Sequence, residues 1–232
     1  MQLRDISFPL PQDNIDYDDV LFSLAEKHGK GEFLRFWESP GIFVVLGRIS
    51  RPETDVNEIN TRQDAIPVLR RSSGGGTVLQ GPGCLNYTLV LSKQKSSELN
   101  DLRKSYLWIA GRVIEALGTA GGTVFFRPLS DLATGPGERK ISGNAQRRGR
   151  NYILHHGTIL YKFDLSLISR YLNMPSDIPE YRRNRPHTDF VTNLPLDPQV
   201  FKSRLAAVFQ TSALEAPSPL ELSMLSSSKI SR

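Results

Sequence analysis

The chain has 232 residues, the size of one large domain or of one domain with a short appendage, and 39% are hydrophobic, enough for a sizeable core. Lys plus Arg number 29 and Asp plus Glu 24; the net charge of +5 suits an anionic ligand or an acidic partner without requiring nucleic acid. No apolar run reaches the ~18 residues of a membrane span, the acid-bearing N-terminus does not read as a signal peptide, and the lone cysteine, Cys84, excludes an intrachain disulfide and a cysteine-based zinc site, so a reducing, cytoplasmic setting is expected.

The chain opens on acid-rich sequence around a helix, with Asn14 or Asp16 as its cap and Val20, Leu21, Leu24 and Ala25 as its apolar stripe. Strands are predicted over 32–37 and 42–46, split by the Ser39-Pro40-Gly41 turn signal, and then over 66–70. Another covers 85–91, where Leu85, Tyr87, Leu89 and Leu91 share a face. The clearest helix spans 99–117, with Leu99, Leu102, Tyr106, Ile109, Val113, Ile114 and Leu117 at helical spacing and Gly118 as its stop. Strands follow over 123–126 and 152–163, and Asp164 offers a cap for a short helix over 165–172. Asp197, with Pro198 at the first helical position, opens a further helix carrying Val200, Phe201, Leu205, Val208 and Phe209. From Ala216 the composition turns to Ser, Pro and Leu, so 214–232 reads as a flexible tail behind a domain over 1–213. Helices and strands mix without regular alternation, which predicts an α+β fold with a largely antiparallel sheet.

Chemistry concentrates in two segments. The first, RRSSGGGTVL over 70–79, sets three glycines between two strands, where backbone can approach a ligand and successive N–H groups can cradle an anion. Arg70 and Arg71 add planar forks for phosphate or carboxylate. It is neither a P-loop nor GxGxxG, and a hairpin flanked by surface charge is the plain alternative. The second, RKISGNAQRR over 139–148, follows Ser130-Asp131; Lys140 there can steady phosphate and carboxylate, or belong to a solvated basic loop. His155 and His156 are adjacent on a strand, so only one imidazole faces a given site, and no side-chain metal site is expected. Cys84 reads as a buried small residue or a thioester nucleophile.

Together these stretches resemble the lipoate-protein ligase A family, within the biotin/lipoate ligase and octanoyltransferase superfamily. Segment 70–79 is similar to the family's RRxSGGGxV motif. Ser130-Asp131 with 139–145 is similar to N-D…(R)K-[IV]-S-G-x-A, and 155–160 to HHGTLL. Val45-Leu46-Gly47-Arg48, with Pro52 and Asn57, is similar to I-G-R-x-Q-x-P-x-x-E-x-N.

The resemblance implies the family's antiparallel-sheet α+β fold and two steps. Lipoate or octanoate is activated by ATP, with Mg2+, as the acyl adenylate, and then passes to a lysine of an acceptor lipoyl domain. That acceptor belongs to a 2-oxoacid dehydrogenase subunit, a glycine-cleavage carrier or another lipoyl carrier. Lys140 would be catalytic. Arg70, Arg71, Gly75, Gly76, Thr77, Val78, Leu79, Asp131 and Lys140 would bind nucleotide. Gly74, Gly75, Lys140, Gly143, His156 and Gly157 would bind lipoate, with no tightly bound metal. Departures are Ile49 and Ser50 after Gly47-Arg48, Ser130 for Asn, and Gly81 and Cys84 at the family's aspartate and asparagine. Whether a separate accessory protein is needed stays open. So do an ATP-free octanoyl or lipoyl transferase, a biotin ligase, and a non-catalytic family member that binds a partner through its arginine clusters; neither a membrane nor nucleic acid is the expected partner.

Overall fold

The computed structural model describes residues 1–29, 31–118, 122–175 and 177–230, without the side chains of 229 and 230. In chain order the strands are β1 Gln2–Asp5, β2 Phe33–Trp37, β3 Phe43–Leu46, β4 Val68–Arg70, β5 Val78–Gln80 and β6 Cys84–Ser92, then β7 Val124–Arg127, β8 Asp131–Thr134, β9 Arg139–Arg148 and β10 Tyr152–Leu160. The helices are α1 Pro11–His28, α2 Pro52–Asp55, α3 Glu58–Gln63, α4 Leu102–Leu117, α5 Ser166–Tyr171, α6 His187–Phe190, α7 Pro198–Val208 and α8 Pro219–Ile230.

A seven-stranded sheet runs β1-β2-β6-β10-β9-β8-β7, antiparallel except for the parallel β1–β2 pair. A three-stranded sheet, β4-β3-β5, lies against it. The α+β expectation holds. On one face of the large sheet, Leu85, Tyr87, Leu89 and Leu91 pack with Ile109 and Val113 of α4 and Phe201 and Leu205 of α7. On the other, Val90 and Leu154 meet Tyr17, Leu21 and Leu24 of α1. The register aligns Trp37, Asn86, Thr158, Gly143 and Asp131 in one row across five strands, and Arg35, Thr88, His156 and Ala145 two residues along. This face is polar where Asn86 and Thr158 bond Gln80 of β5, and Thr88 donates to Asp18 of α1 at 2.8 Å. Among the described residues no helix is long and apolar enough to cross a membrane.

Local sequence accounts for some of the helix starts. Asp197 caps α7 by accepting from the N–H of Gln199 and Val200. The helix predicted from Leu99 opens as a 3-10 turn over Ser97–Asn100, and Asp101 caps α4 by accepting from Lys104 N–H. α1 starts earlier than predicted, at Pro11, without a side-chain cap. Asn14 instead works from inside the helix: its Nδ2 donates to Phe8 and Leu10 carbonyls, and its Oδ1 accepts from Phe8 N–H.

Two corrections matter. β8 and β9 are strands where a basic loop was the plain alternative. The small residues Ser142, Gly143 and Ala145 let other elements close over them without an apolar alternation in the sequence. The flexible-tail reading of 214–232 also fails over α8. Leu225 enters the α1 core, and Glu221, only 2% exposed, accepts from Arg4 at 2.8 and 3.2 Å and from Tyr17 Oη. Buried ion-pair and apolar contacts order a segment that composition alone marks as soft.

Candidate active site

The glycine segment links β4 to β5 and bends over β9. Gly75 has φ +81°, and a Cβ there would sit 3.5 Å from Ala145 Cβ and 3.0 Å from Arg71 Nη2. The bend also presses on the neighbouring loop: a Cβ on Gly47 would lie 1.9 Å from the Gly75 carbonyl oxygen. That glycine, matched by the Gly-Arg motif, is required by backbone approach. Further along the same stretch, Asn57 caps α3 by accepting from Asn60 N–H at 3.1 Å.

The two arginines of the motif both bond main-chain oxygens, Arg71 from a buried position and Arg70 from an exposed one. Arg71, 8% exposed, donates through Nη2 to the Gly74 and Gly76 carbonyls at 2.7 and 2.8 Å and through Nε to Ser73 Oγ at 3.0 Å. Burial pulls its guanidinium down to about 10. Arg70 Nη1 donates to the carbonyls of Gly47, Arg48 and Ser50 at 2.7, 3.1 and 2.9 Å. Both therefore shape the two loops from their own main-chain oxygens. Gly75 and Gly76 are exposed, Thr77 donates to Asp55 at 2.6 Å, Val78 is half-buried in β5, and the Leu79 side chain packs into a second core beside Phe163 and Leu172.

Lys140 stands on β9 with its Nζ 2.8 Å from Asp131 Oδ1. Its Nζ and Cε lie 3.1 Å from where a Cβ on Gly143 would be, so glycine makes room for the ammonium. Asp131, 6% exposed, uses its other oxygen to accept from Tyr181 Oη at 2.6 Å. Burial first, and then the Asp131 charge, raise the Tyr181 phenol well above its usual range, keeping it a donor. Tyr181 sits in a 3-10 turn, Glu180–Arg182, which no periodicity in the sequence marks. Parallel bridging of Lys140 with Val191, and Thr192 N–H donating to the Lys140 carbonyl at 2.9 Å, fix this segment beside the lysine.

The histidine pair divides as strand geometry requires. His156 faces the glycine bend, its Nε2 2.5 Å from Ser73 Oγ and its Nδ1 3.5 Å from Asp18 Oδ2. Asp18 accepts in turn from Arg35 at 2.6 Å, and the Arg35 charge and His156 hold its carboxyl down against the cost of burial. The sequence reading missed Asp18 and Asp19, and placed Arg147 only in a basic cluster. Asp19 accepts from Ser72 Oγ at 2.5 Å and from Arg147 Nη1 at 2.9 Å, joining α1, the bend and β9. Their signal, paired acids four residues after Asn14, is visible only once α1 is known to cover this face.

His155 points the other way, 2% exposed between the Tyr87 and Tyr106 rings. Gly157 shares that opposite face: a Cβ there would meet Asn144 Oδ1 at 2.0 Å and Tyr87 Oη at 2.5 Å. The structure thus gathers Gly74, Gly75, Ala145, Gly143, Lys140, Asp131 and His156 on one face, and leaves Gly157 behind the sheet. Cys84 is fully buried, and burial pushes its thiol up. Among the described residues no group of three or more His, Cys, Asp or Glu side chains is placed to hold a metal ion.

The sequence pattern of the lipoyl protein ligase A/B catalytic domain matches residues 10–210. A Schizosaccharomyces pombe protein provisionally named lipoate-protein ligase A is 31% identical over 166 residues, 72% of this chain and 42% of that protein. The chain spans less than half the length of the curated relatives it matches. Among solved structures, the fold is similar to the bipartite lipoate protein ligase of Thermoplasma acidophilum, from work on that ligase and its E2 lipoyl domain (TM-score 0.82, 21% identity, 97% of this chain and 90% of the other). It is also similar to a lipoate-protein ligase A bound with ATP (TM-score 0.75, 22% identity, 97% and 92%). The fold is that of the lipoate-protein ligases.

Proposed function

The chain belongs to the lipoyl protein ligase A/B catalytic-domain family, and from that premise we propose that it joins lipoate, or octanoate, to a lysine of an acceptor lipoyl domain through an acyl adenylate made from ATP. One observation carries the reading. The Lys140 ammonium, held at 2.8 Å by Asp131, and the Gly74–Gly75 bend flank the same short stretch of β9, residues 143–145.

In the first step a carboxylate oxygen attacks the α-phosphorus of ATP. The bond to pyrophosphate breaks, and pyrophosphate leaves. Both reactants are anions, so the Lys140 cation offsets the charge that gathers between them. The exposed backbone of Gly75 and Gly76 offers N–H donors to phosphate, and Arg71 keeps that backbone in shape. In the second step the neutral amine of the acceptor lysine attacks the acyl carbon, the acyl C–O bond to phosphate breaks, AMP leaves, and the amine's surplus proton passes to the departing phosphate or to water. Lys140 then serves the carbonyl oxygen. His156 and Ser73 steady the bend from below. Magnesium enters with ATP, held by phosphates and water. Asp131 already spends both oxygens on Lys140 and Tyr181, so no protein ligand is assigned to the ion. The buried thiol of Cys84 argues against an ATP-free thioester route.

Incubating the full chain with lipoate, ATP and an unlipoylated lipoyl domain tests this. Mass spectrometry of the acceptor should gain one lipoyl group, lost when ATP is omitted and kept in Cys84→Ala. Transfer without ATP, or its loss in Cys84→Ala, would overturn the reading.

A further inference from the structure

We infer that Asp18 is a positioning residue for the nucleotide step: through His156 and Ser73 it holds the Arg71 fork on the glycine bend; the inference rests on the ligase reading above. The links run without a gap from the large sheet to the bend. Arg35 on β2 donates to Asp18 Oδ1 at 2.6 Å, and Asp18 Oδ2 lies 3.5 Å from His156 Nδ1. His156 Nε2 is 2.5 Å from Ser73 Oγ, which accepts from Arg71 Nε at 3.0 Å. Arg71 Nη2 donates to the carbonyls of Gly74 and Gly76 at 2.7 and 2.8 Å. Those oxygens share planar peptide units with the N–H groups of Gly75 and Thr77, and in a trans unit the two point opposite ways. Fixing the oxygens on Arg71 therefore aims the two N–H donors away from it, to the side a phosphate would approach.

The two ends of this chain fix the direction of every proton in it. Arg71 can only donate, and the Asp18 carboxylate can only accept. His156 Nδ1 faces that carboxylate, so it carries a hydrogen, and Nε2 accepts from the Ser73 hydroxyl. A hydrogen on Nε2 as well would leave Ser73 Oγ between two donors, with its own proton facing no acceptor among the described residues. Arg35 balances the Asp18 charge and is itself tied to α1 through the Asn14 carbonyl and Oδ1 at 2.7 and 2.8 Å. Arg35, Asp18 and Ser73 are each 3% exposed or less, so water does not replace a broken link. A buried ion pair is weak evidence for stability. Here it anchors a one-way chain that ends on the loop proposed to hold phosphate.

ATP–pyrophosphate exchange with lipoate, measured on the full chain, tests the role. Asp18→Asn keeps the volume but puts an amide beside His156 Nδ1 and so upsets the tautomer. Ser73→Ala cuts the chain without stranding a charge. Each should raise KM for ATP by about 10-fold, with a smaller change in kcat. In the double variant the rise should stay near that of one single variant, because the chain is already cut. His155→Gln, on the opposite face of the same strand, should keep the wild-type KM. An unchanged KM in either single variant, a double variant whose rise is the product of the two, or an equal rise in His155→Gln overturns the positioning role. Should Asp18→Asn fail to fold, His156→Gln with Ser73→Ala completes the same cycle. A wild type without exchange removes the ligase reading instead, and calorimetric ATP binding by the same variants then decides the positioning role alone.

Discussion

Lys140 reaches the site only because three other residues leave it nowhere else to go. Gly143 vacates the space its Cε and Nζ fill, Asp131 pulls the ammonium in, and Tyr181 pins the far oxygen of that carboxylate. Removing a preorganised charge from a reacting centre costs about 100-fold or more in rate, so Lys140→Ala should abolish acyl transfer with an unchanged circular dichroism spectrum. Near-normal turnover would end its assignment as catalytic. Tyr181→Phe is a finer probe. Its ring stays packed on Phe190, 5.2 Å away, but the donor to Asp131 is gone. A hydrogen bond to a charged group is worth about 1.5–3 kcal/mol, so kcat should fall about 10-fold, with smaller changes in KM for ATP and in melting temperature. An unchanged kcat would show that the phenol is only scaffolding. Arg71 carries a related lesson: the motif suggests a ligand fork, whereas the folded chain uses the fork on the loop's own carbonyls.

At the scale of elements, the site is a meeting of one bend, one loop and one strand edge. The bend and the Gly47 loop touch backbone to backbone, so Gly47→Ala drives a methyl to 1.9 Å from the Gly75 oxygen, and something must shift. The variant should lose activity and about 2 kcal/mol or more of stability through overpacking. Wild-type urea midpoint and turnover would show that the contact is slack. This contact also marks how far the sequence could be read. The triple glycine and the apolar helix α4 were legible because each carries a local signature, whereas Lys140 stood out only through the linked motifs of the family resemblance. β9 was not, since its residues are small or polar and buried by elements distant in sequence. The 177–196 stretch was not either; its order comes from bonds such as Arg185 Nη1 to the Gly137 carbonyl at 2.5 Å, which no periodicity announces. Gly157 illustrates the opposite failure: a motif neighbour of His156 is placed by strand alternation on the wrong side of the sheet.

The whole molecule is closed at both faces by groups whose protonation matters. α8 binds α1 and β1 through Glu221, Arg4 and Tyr17, so acidification that protonates Glu221 loosens this seal. Hydrogen bonds and ion pairing hold the Glu221 carboxyl below its usual range despite the cost of burial, and those on Asp18 do the same. Stability from such groups is present above their unfolded pKa and begins to fall only below about pH 4. His155 acts earlier. Burial between two tyrosine rings pushes it down to about 3, so the native state keeps it neutral while the unfolded chain takes up a proton below about 6.5. Stability must then drop as pH falls from 6.5, by up to about 1.4 kcal/mol per unit. His187, also lowered by burial, adds to the slope with the same sign. Urea unfolding at pH 6.5 and pH 5 should show a loss of about 2 kcal/mol for the wild type. His155→Gln, which retains a donor for Asn144, should show a clearly shallower loss whatever its starting stability. Equal slopes for the two proteins would mean that His155 is protonated in the native sheet, and the stacked core between β6, β10 and α4 would have to open to water to allow it.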